Sequence, residues 1–256
     1  MAKVPLILLA SSFLYAQILT NPVQDYINKT TLLNNILSNM RAIELSQKAQ
    51  NGGKVEKSKP EAQLVKPTEF IHSGSALLPS KIAARTGPQS QQYLTGLISL
   101  YEQTARKDGF SPHDLAYALE YFVVNSYMTY HDLHDVEYAK DPRVKRGKDM
   151  FDRLTIINEK KTLKVTLYQE RAVYQQFKAT LGSNAAVLHM TDQQKQEVTE
   201  LLAITFGVNF KAYMDAVNRE DDRAIELARQ QARANLEKLT GSPIERIKIS
   251  ASGIQL

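Results

Sequence analysis

Apolar residues recur at steps of three and four along most of this chain, and glycines or prolines close the runs. That spacing puts side chains on one face of an α-helix, whereas a half-buried strand alternates with period two. The clearest run is Leu115, Leu119, Phe122, Ser126, Tyr130 and Leu133, widened by Ala118, Val123 and Met128. It predicts the most hydrophobic helix and the centre of the core. Before it, Leu94, Leu97, Ile98, Tyr101 and Ala105 make a stripe that opens at Pro88 and closes at Gly109. Proline suits a first helical position and glycine the left-handed residue just past the end.

Similar punctuation organises the rest. Ser111-Pro112-His113-Asp114 supplies a cap and a first turn for the central helix. Met150 to Ile157 predicts a shorter helix. Leu163, Leu167, Tyr174, Phe177 and Leu181 predict another, ended by Gly182. Thr191 and Gln194 make a capping box ahead of Val198, Leu201, Leu202, Thr205, Val208 and Ala212. Gly207 within that run marks a close helix–helix crossing. Acidic Glu220, Asp221 and Asp222 open a last helix carrying Ile225, Ala228, Ala232, Leu236 and Leu239, ended by Gly241 and Pro243. The alternating tail Ile247, Ile249, Ala251 predicts one extended segment. With only 11 Gly and 9 Pro in 256 residues, a turn-rich β-sandwich is disfavoured. The expected fold is all-α, an irregular or orthogonal bundle of about six helices with an N-terminal helical arm.

Three parts are expected. Residues 1–16 read as a secretory signal. Lys3 precedes an apolar stretch from Val4 to Leu14, too short to span a bilayer, and small Ala16 precedes polar Gln17. Residues 17–66 hold a helical arm, with Leu33, Ile36, Leu37, Met40 and Ile43 on one face, followed by a polar linker around Asn51–Pro60. Residues 67–256 form a single helical domain that starts irregularly, with one short helix near Ser80–Arg85. Cleavage near Ala16 places the mature chain in a periplasm or outside the cell, with no transmembrane span. There is no cysteine, which removes disulfide scaffolds, thiol nucleophiles and cysteine-held metal clusters.

Two stretches, Gly109–Leu119 with its continuation Phe122–Tyr127, and Asn235–Ile247, join Leu78-Pro79-Ser80-Lys81-Ile82-Ala83 in a resemblance to a family. Over roughly residues 75–250 the chain resembles an uncharacterised family of exported bacterial all-helical proteins, a domain of unknown function. The resemblance implies bacterial origin, export and an all-α fold, and it transfers no activity.

The candidate chemistry is sparse. On a helix, His131, His134 and Asp135 share a face at spacings of three and four, a set that can bind a divalent transition metal. The alternative is a polar helix end, where histidine favours the negative pole. His113 beside Asp114 invites a reading as a base, but no nucleophile stands near it by spacing. Lys140, Arg143, Lys145, Arg146 and Lys148 form a basic connection suited to an anionic surface or simply to solvent. It has no interleaved aromatics to stack bases, so nucleic acid is not expected. Tyr117, Tyr121, Tyr127, Tyr130 and Tyr138 read as core or boundary residues. There is no phosphate loop, dinucleotide glycine motif or nucleophile elbow. The expected function is therefore non-catalytic: contacts with an unidentified protein or envelope component, without a cofactor, through the arm and its stripe Leu33, Ile36, Leu37, Met40 and Ile43. A homo-oligomer fits the same picture. The alternative is a metal-binding protein or metal-dependent hydrolase built on His131, His134 and Asp135.

Overall fold

A computed structural model describes residues 67–134, 142–145 and 147–256. The signal and arm readings, and those on Asp135, Tyr138, Lys140 and Arg146, lie outside the described residues, as does the side chain of Arg143.

The helices follow in chain order. They are α1 (Leu78–Thr86), α2 (Pro88–Asp108), α3 (Leu115–Tyr130), α4 (Pro142–Lys145), α5 (Met150–Leu163), α6 (Leu167–Gly182), α7 (Ala185–Leu188), α8 (Asp192–Asn218) and α9 (Asp222–Thr240). A 3-10 turn at Ile244–Arg246 leads to a hairpin of β1 (Lys248–Ser250) and β2 (Gly253–Gln255). The strands pair antiparallel, with Ile249 opposite Ile254. The expected all-α bundle is what forms. The tail differs in folding back on itself. Gly253, at φ +108°, takes the backbone turn that a single extended segment would not need. Gln176 of α6 holds β2 at both ends of its amide, donating to the Ile254 carbonyl at 3.0 Å and accepting from the Ile254 N–H at 2.7 Å.

The core is built around α3. Thirteen of its 16 residues are buried, so it has no solvent face to polarise. Helices α6, α8 and α9 pack on it, and α2 bridges α1 and α8. Where α8 crosses α2, a Cβ on Gly207 would lie 3.1 Å from Leu97 Cδ2, so glycine there lets the two helices approach. Tyr101, Tyr117, Tyr121 and Phe206 interlock with ring centroids 5.1 to 6.1 Å apart. Of the tyrosines of α3, Tyr117, Tyr121 and Tyr127 are core residues and Tyr130 lies at the boundary.

Most caps obey the sequence signals. Gly109 and Gly241 close α2 and α9 in left-handed geometry, and Thr191 and Gln194 form their capping box. One start differs. Asp114, rather than Ser111, caps α3 by accepting from the Ala116 N–H at 2.9 Å. A second capping box, Thr166 with Gln169, separates α5 from α6 at a point where the apolar spacing runs on.

Candidate functional site

Five polar groupings and one apolar face carry the chemistry of the described residues. The first device is a strap, residues 67–78, laid on α8. Glu69 forms an antiparallel bridge with Asp114. The Phe70 N–H donates to the His113 carbonyl at 3.1 Å, and the Leu115 N–H donates to the Thr68 carbonyl at 3.0 Å. Further on, the Ser73 N–H donates to Gln196 at 2.9 Å. Buried Glu200 accepts from the Leu77 and Leu78 N–H groups, at 2.9 and 2.7 Å. Helix α1 has no side-chain cap of its own. A carboxylate from α8 fills that place, which also suits the positive end of the helix dipole.

The second device fixes the start of α3. Asp114 is fully buried. Its free oxygen accepts from the Tyr174 hydroxyl at 2.8 Å and from Lys178 at 3.2 Å, and Lys178 also reaches Glu69 at 3.2 Å. Burial works against the Lys178 charge, but the Tyr174 hydroxyl and the Asp114 carboxylate outweigh it and hold the amine above its ordinary range. Burial pushes the Tyr174 phenol up to about 12. This is a closed, satisfied network. It fixes the strap against α3 and α6.

The third device is a buried acid. Glu120 is 2 % exposed on α3, with Tyr117 and Tyr121 close by. Burial, then the charges of Glu170 and Asp108, hold its carboxyl well above the usual carboxylate range. Its protonated form is the favoured one in the core.

The fourth device lies beyond the end of α3 and settles the geometry of the first histidine pair. The helix stops at Tyr130, so His131 and His134 do not share a helical face. His131 is the residue after the helix, and Asp132 turns the chain at φ +60°. His131 lies against the rings of Tyr127 and Tyr130, 4.4 and 4.8 Å away. His134 points instead to α8, 4.5 Å from the Phe210 ring, with its Nε2 2.8 Å from the Thr129 hydroxyl. Asp132 accepts from the Tyr213 hydroxyl at 2.6 Å. Lys160 of α5 is buried here, donating to the Asp132 carbonyl at 2.9 Å with its amine 3.6 Å from the carboxylate. Burial lowers the Lys160 amine, and Asp132 offsets part of that.

Of the basic connection, the side chains of Lys145 and Lys148 are described. Lys145 pairs with Glu220 at 2.6 Å, and Lys148 is exposed. Val144, between two cations, is buried.

The apolar face belongs to α5. Lys160 is its one buried side chain, while Met150, Phe151 and Leu154 are 66, 75 and 47 % exposed. Five of the nine large apolar side chains exposed among the described residues fall between Met150 and Tyr168, Leu167 and Tyr168 being the others. Spacing alone hides this, because a helical stripe does not say whether it faces the core.

Histidines separated in sequence do meet. His72 on the strap and His113 before α3 stack with ring centroids 4.9 Å apart, 18° from parallel. Glu102 of α2 completes a group whose ligand atoms lie within 4.8 Å of one another. Neighbour spacing cannot reveal this pair, because 41 residues separate the two rings and the strap's bridge to Asp114 joins them.

A family model described as a family of unknown function (DUF6683) matches residues 9–152 and 164–256, most of the chain. No curated protein matches and no solved structure matches.

Proposed function

The chain belongs to that family of unknown function, DUF6683, which brings no activity with it, and we propose that it acts without catalysis, by contact with another protein through the outward face of α5. The observation that carries this reading is the exposure of Met150, Phe151 and Leu154 together on a helix whose one fully buried side chain is Lys160. Apolar area left in water at neighbouring positions of one helix favours association, at roughly 25 cal/mol per Å² covered. Lys161, two helical turns beyond Leu154, and Lys148 ahead of the helix are exposed cations at its two ends. The partner that fits is an apolar protein surface with acidic residues at its margins.

The stretch carrying Leu33, Ile36, Leu37, Met40 and Ile43 is a second contact element in the same reading. The partner is placed in the cell envelope or outside it by the reading of residues 1–16 as an export signal. Amino-terminal sequencing of fractionated native protein checks that placement. A start at Gln17 in the exported fraction supports it, and an intact Met1 on cytosolic protein overturns it.

The contact itself is tested by replacing Phe151 with a photo-crosslinking phenylalanine analogue in native cells. The expected result is one discrete adduct that purified wild-type protein suppresses and a purified Phe151→Asp/Leu154→Asp variant does not. An adduct with a second copy identifies the partner as the chain itself. No adduct, or equal suppression by both competitors, overturns the proposal.

A further inference from the structure

The geometry points to a second site, at the opposite end of the sequence logic from α5: a divalent transition-metal site formed by His72, His113 and Glu102. It is independent of the contact proposed for α5. Two imidazoles and one carboxylate make the donor set that selects zinc and its neighbours over magnesium or calcium, and three protein ligands leave a coordination position open.

Each donor is presented by an element that is itself held. His72 lies between two anchors of the strap, the Glu69–Asp114 bridge and the bond from Ser73 to Gln196. The carbonyl of His113 accepts from Phe70, and its N–H donates to the Ser111 hydroxyl at 3.3 Å. Its ring is therefore directed by the backbone and not used by it. Neither ring nitrogen of His113 has a hydrogen-bond partner among the described residues. Glu102 commits one oxygen to Arg106 at 2.9 Å and leaves the other available. All three residues are partly exposed, which leaves a path from solvent.

Metal–donor bonds of about 2.1 Å put tetrahedral ligand atoms roughly 3.4 Å apart. Donors already within 4.8 Å of one another close that gap by side-chain rotation.

The strap also supplies a reporter. His72 Nδ1 accepts from the Gly74 N–H at 3.0 Å, so the neutral ring carries its proton on Nε2. Ligation through Nε2 moves that proton to Nδ1, and ligation through Nδ1 takes the lone pair directly. Either route removes the acceptor of Gly74. Gly74 sits at φ +87° with open space around it, so the turn is able to move.

The test uses the full chain without a histidine tag, stripped with a chelator and titrated with Zn²⁺ against a chromophoric competitor at pH 7.5. One equivalent is expected, with a shift of the Gly74 amide resonance. His72→Ala and His113→Gln each weaken binding by at least about tenfold, as loss of even an outer-shell partner does. The double variant His131→Ala/His134→Ala binds as the wild type. Arg106→Gln binds more tightly, because it frees the second Glu102 oxygen and removes a nearby cation; misfolding would not produce a gain. Absence of a saturable equivalent overturns the site, as does loss that follows His131 and His134 instead. An Arg106→Gln variant no tighter than the wild type removes Glu102 from the ligand set and overturns it too.

Discussion

The strap and α5 are both attached to the same helical core, and they are attached in opposite ways. The strap, residues 67–78, has little regular structure of its own. Yet Glu69, Ser73, Leu77 and Leu78 each bond to α3, α6 or α8. Helix α5 satisfies its own backbone over 14 residues and is capped by Asp149, but buries only Lys160. Backbone that cannot pair with itself must be paired by something else, so the irregular segment is the better anchored one. A regular helix carries no such debt and can remain loosely docked. Local order and attachment to the fold are thus separate properties, and the stability of the two segments against local opening should differ accordingly.

The contrast is broken most severely in the core both share. Leu119→Ala, at a fully buried position of α3, costs about 3–5 kcal/mol, read from urea unfolding. Leu154→Ala on α5 changes the stability of the isolated chain by less than about 0.5 kcal/mol. Equal costs would mean that α5 is part of the core. Next, Glu200→Ala leaves the Leu77 and Leu78 N–H groups without their acceptor and costs about 2–3 kcal/mol. Hydrogen exchange should quicken in residues 67–78 while α5 is unchanged. Lys160→Met has the complementary pattern. It loosens α5 alone, and its global cost is smaller, about 1–2 kcal/mol, because Tyr213 still donates to Asp132. Exchange that quickens equally in both segments after either substitution would dissolve the distinction.

The sequence makes legible what is local and repetitive. The span of α2, the burial of α3, the Thr191–Gln194 box, the closing Gly109 and Gly241 and a close crossing at Gly207 all follow from spacing and from single-residue backbone preferences, whereas Gly182 is the last residue of α6 and Ser183 caps it. What is not legible depends on contacts between distant residues. Glu200 caps a helix more than a hundred residues away, and Asp114 takes the α3 cap because its other oxygen is wanted by Tyr174 and Lys178. His72 meets His113 only through the strap. The spacing of His131 and His134 is helical in sequence, but the chain leaves the helix at Tyr130, and spacing cannot say where a helix stops when no glycine or proline marks the place. The basic run from Lys140 to Lys148 reads as one feature, although Lys145 is committed to Glu220.

Two titrations sharpen the comparison on the core side. Glu120 has its carboxyl pKa raised by burial, so the folded state binds more protons than the unfolded state above pH 4.5. Its contribution is intact below that pH and is lost as the pH climbs toward the folded-state value. Glu120→Gln should then be neutral at pH 4 and stabilising at pH 8, by about 1 kcal/mol or 2–4 °C in Tm. A variant less stable than the wild type at pH 8 would mean that the ionised carboxylate is useful there.

His113 titrates with the opposite sign and a smaller effect, since its ring is partly exposed. Its folded-state pKa lies below 6.5, so the unfolded chain binds more protons over the window just under 6.5. Stability from this group is complete above that window and declines as the pH falls through it. Melting of metal-free protein at pH 7.5 and pH 5 should show a shallow acid-side loss that His113→Gln reduces. The loss should come with faster exchange in the strap, where Phe70 pairs with the His113 backbone, and without change in α5. If the acid-side loss is the same in the variant, the ring does not couple to the strap, and the segment is held by its backbone and carboxylate anchors alone.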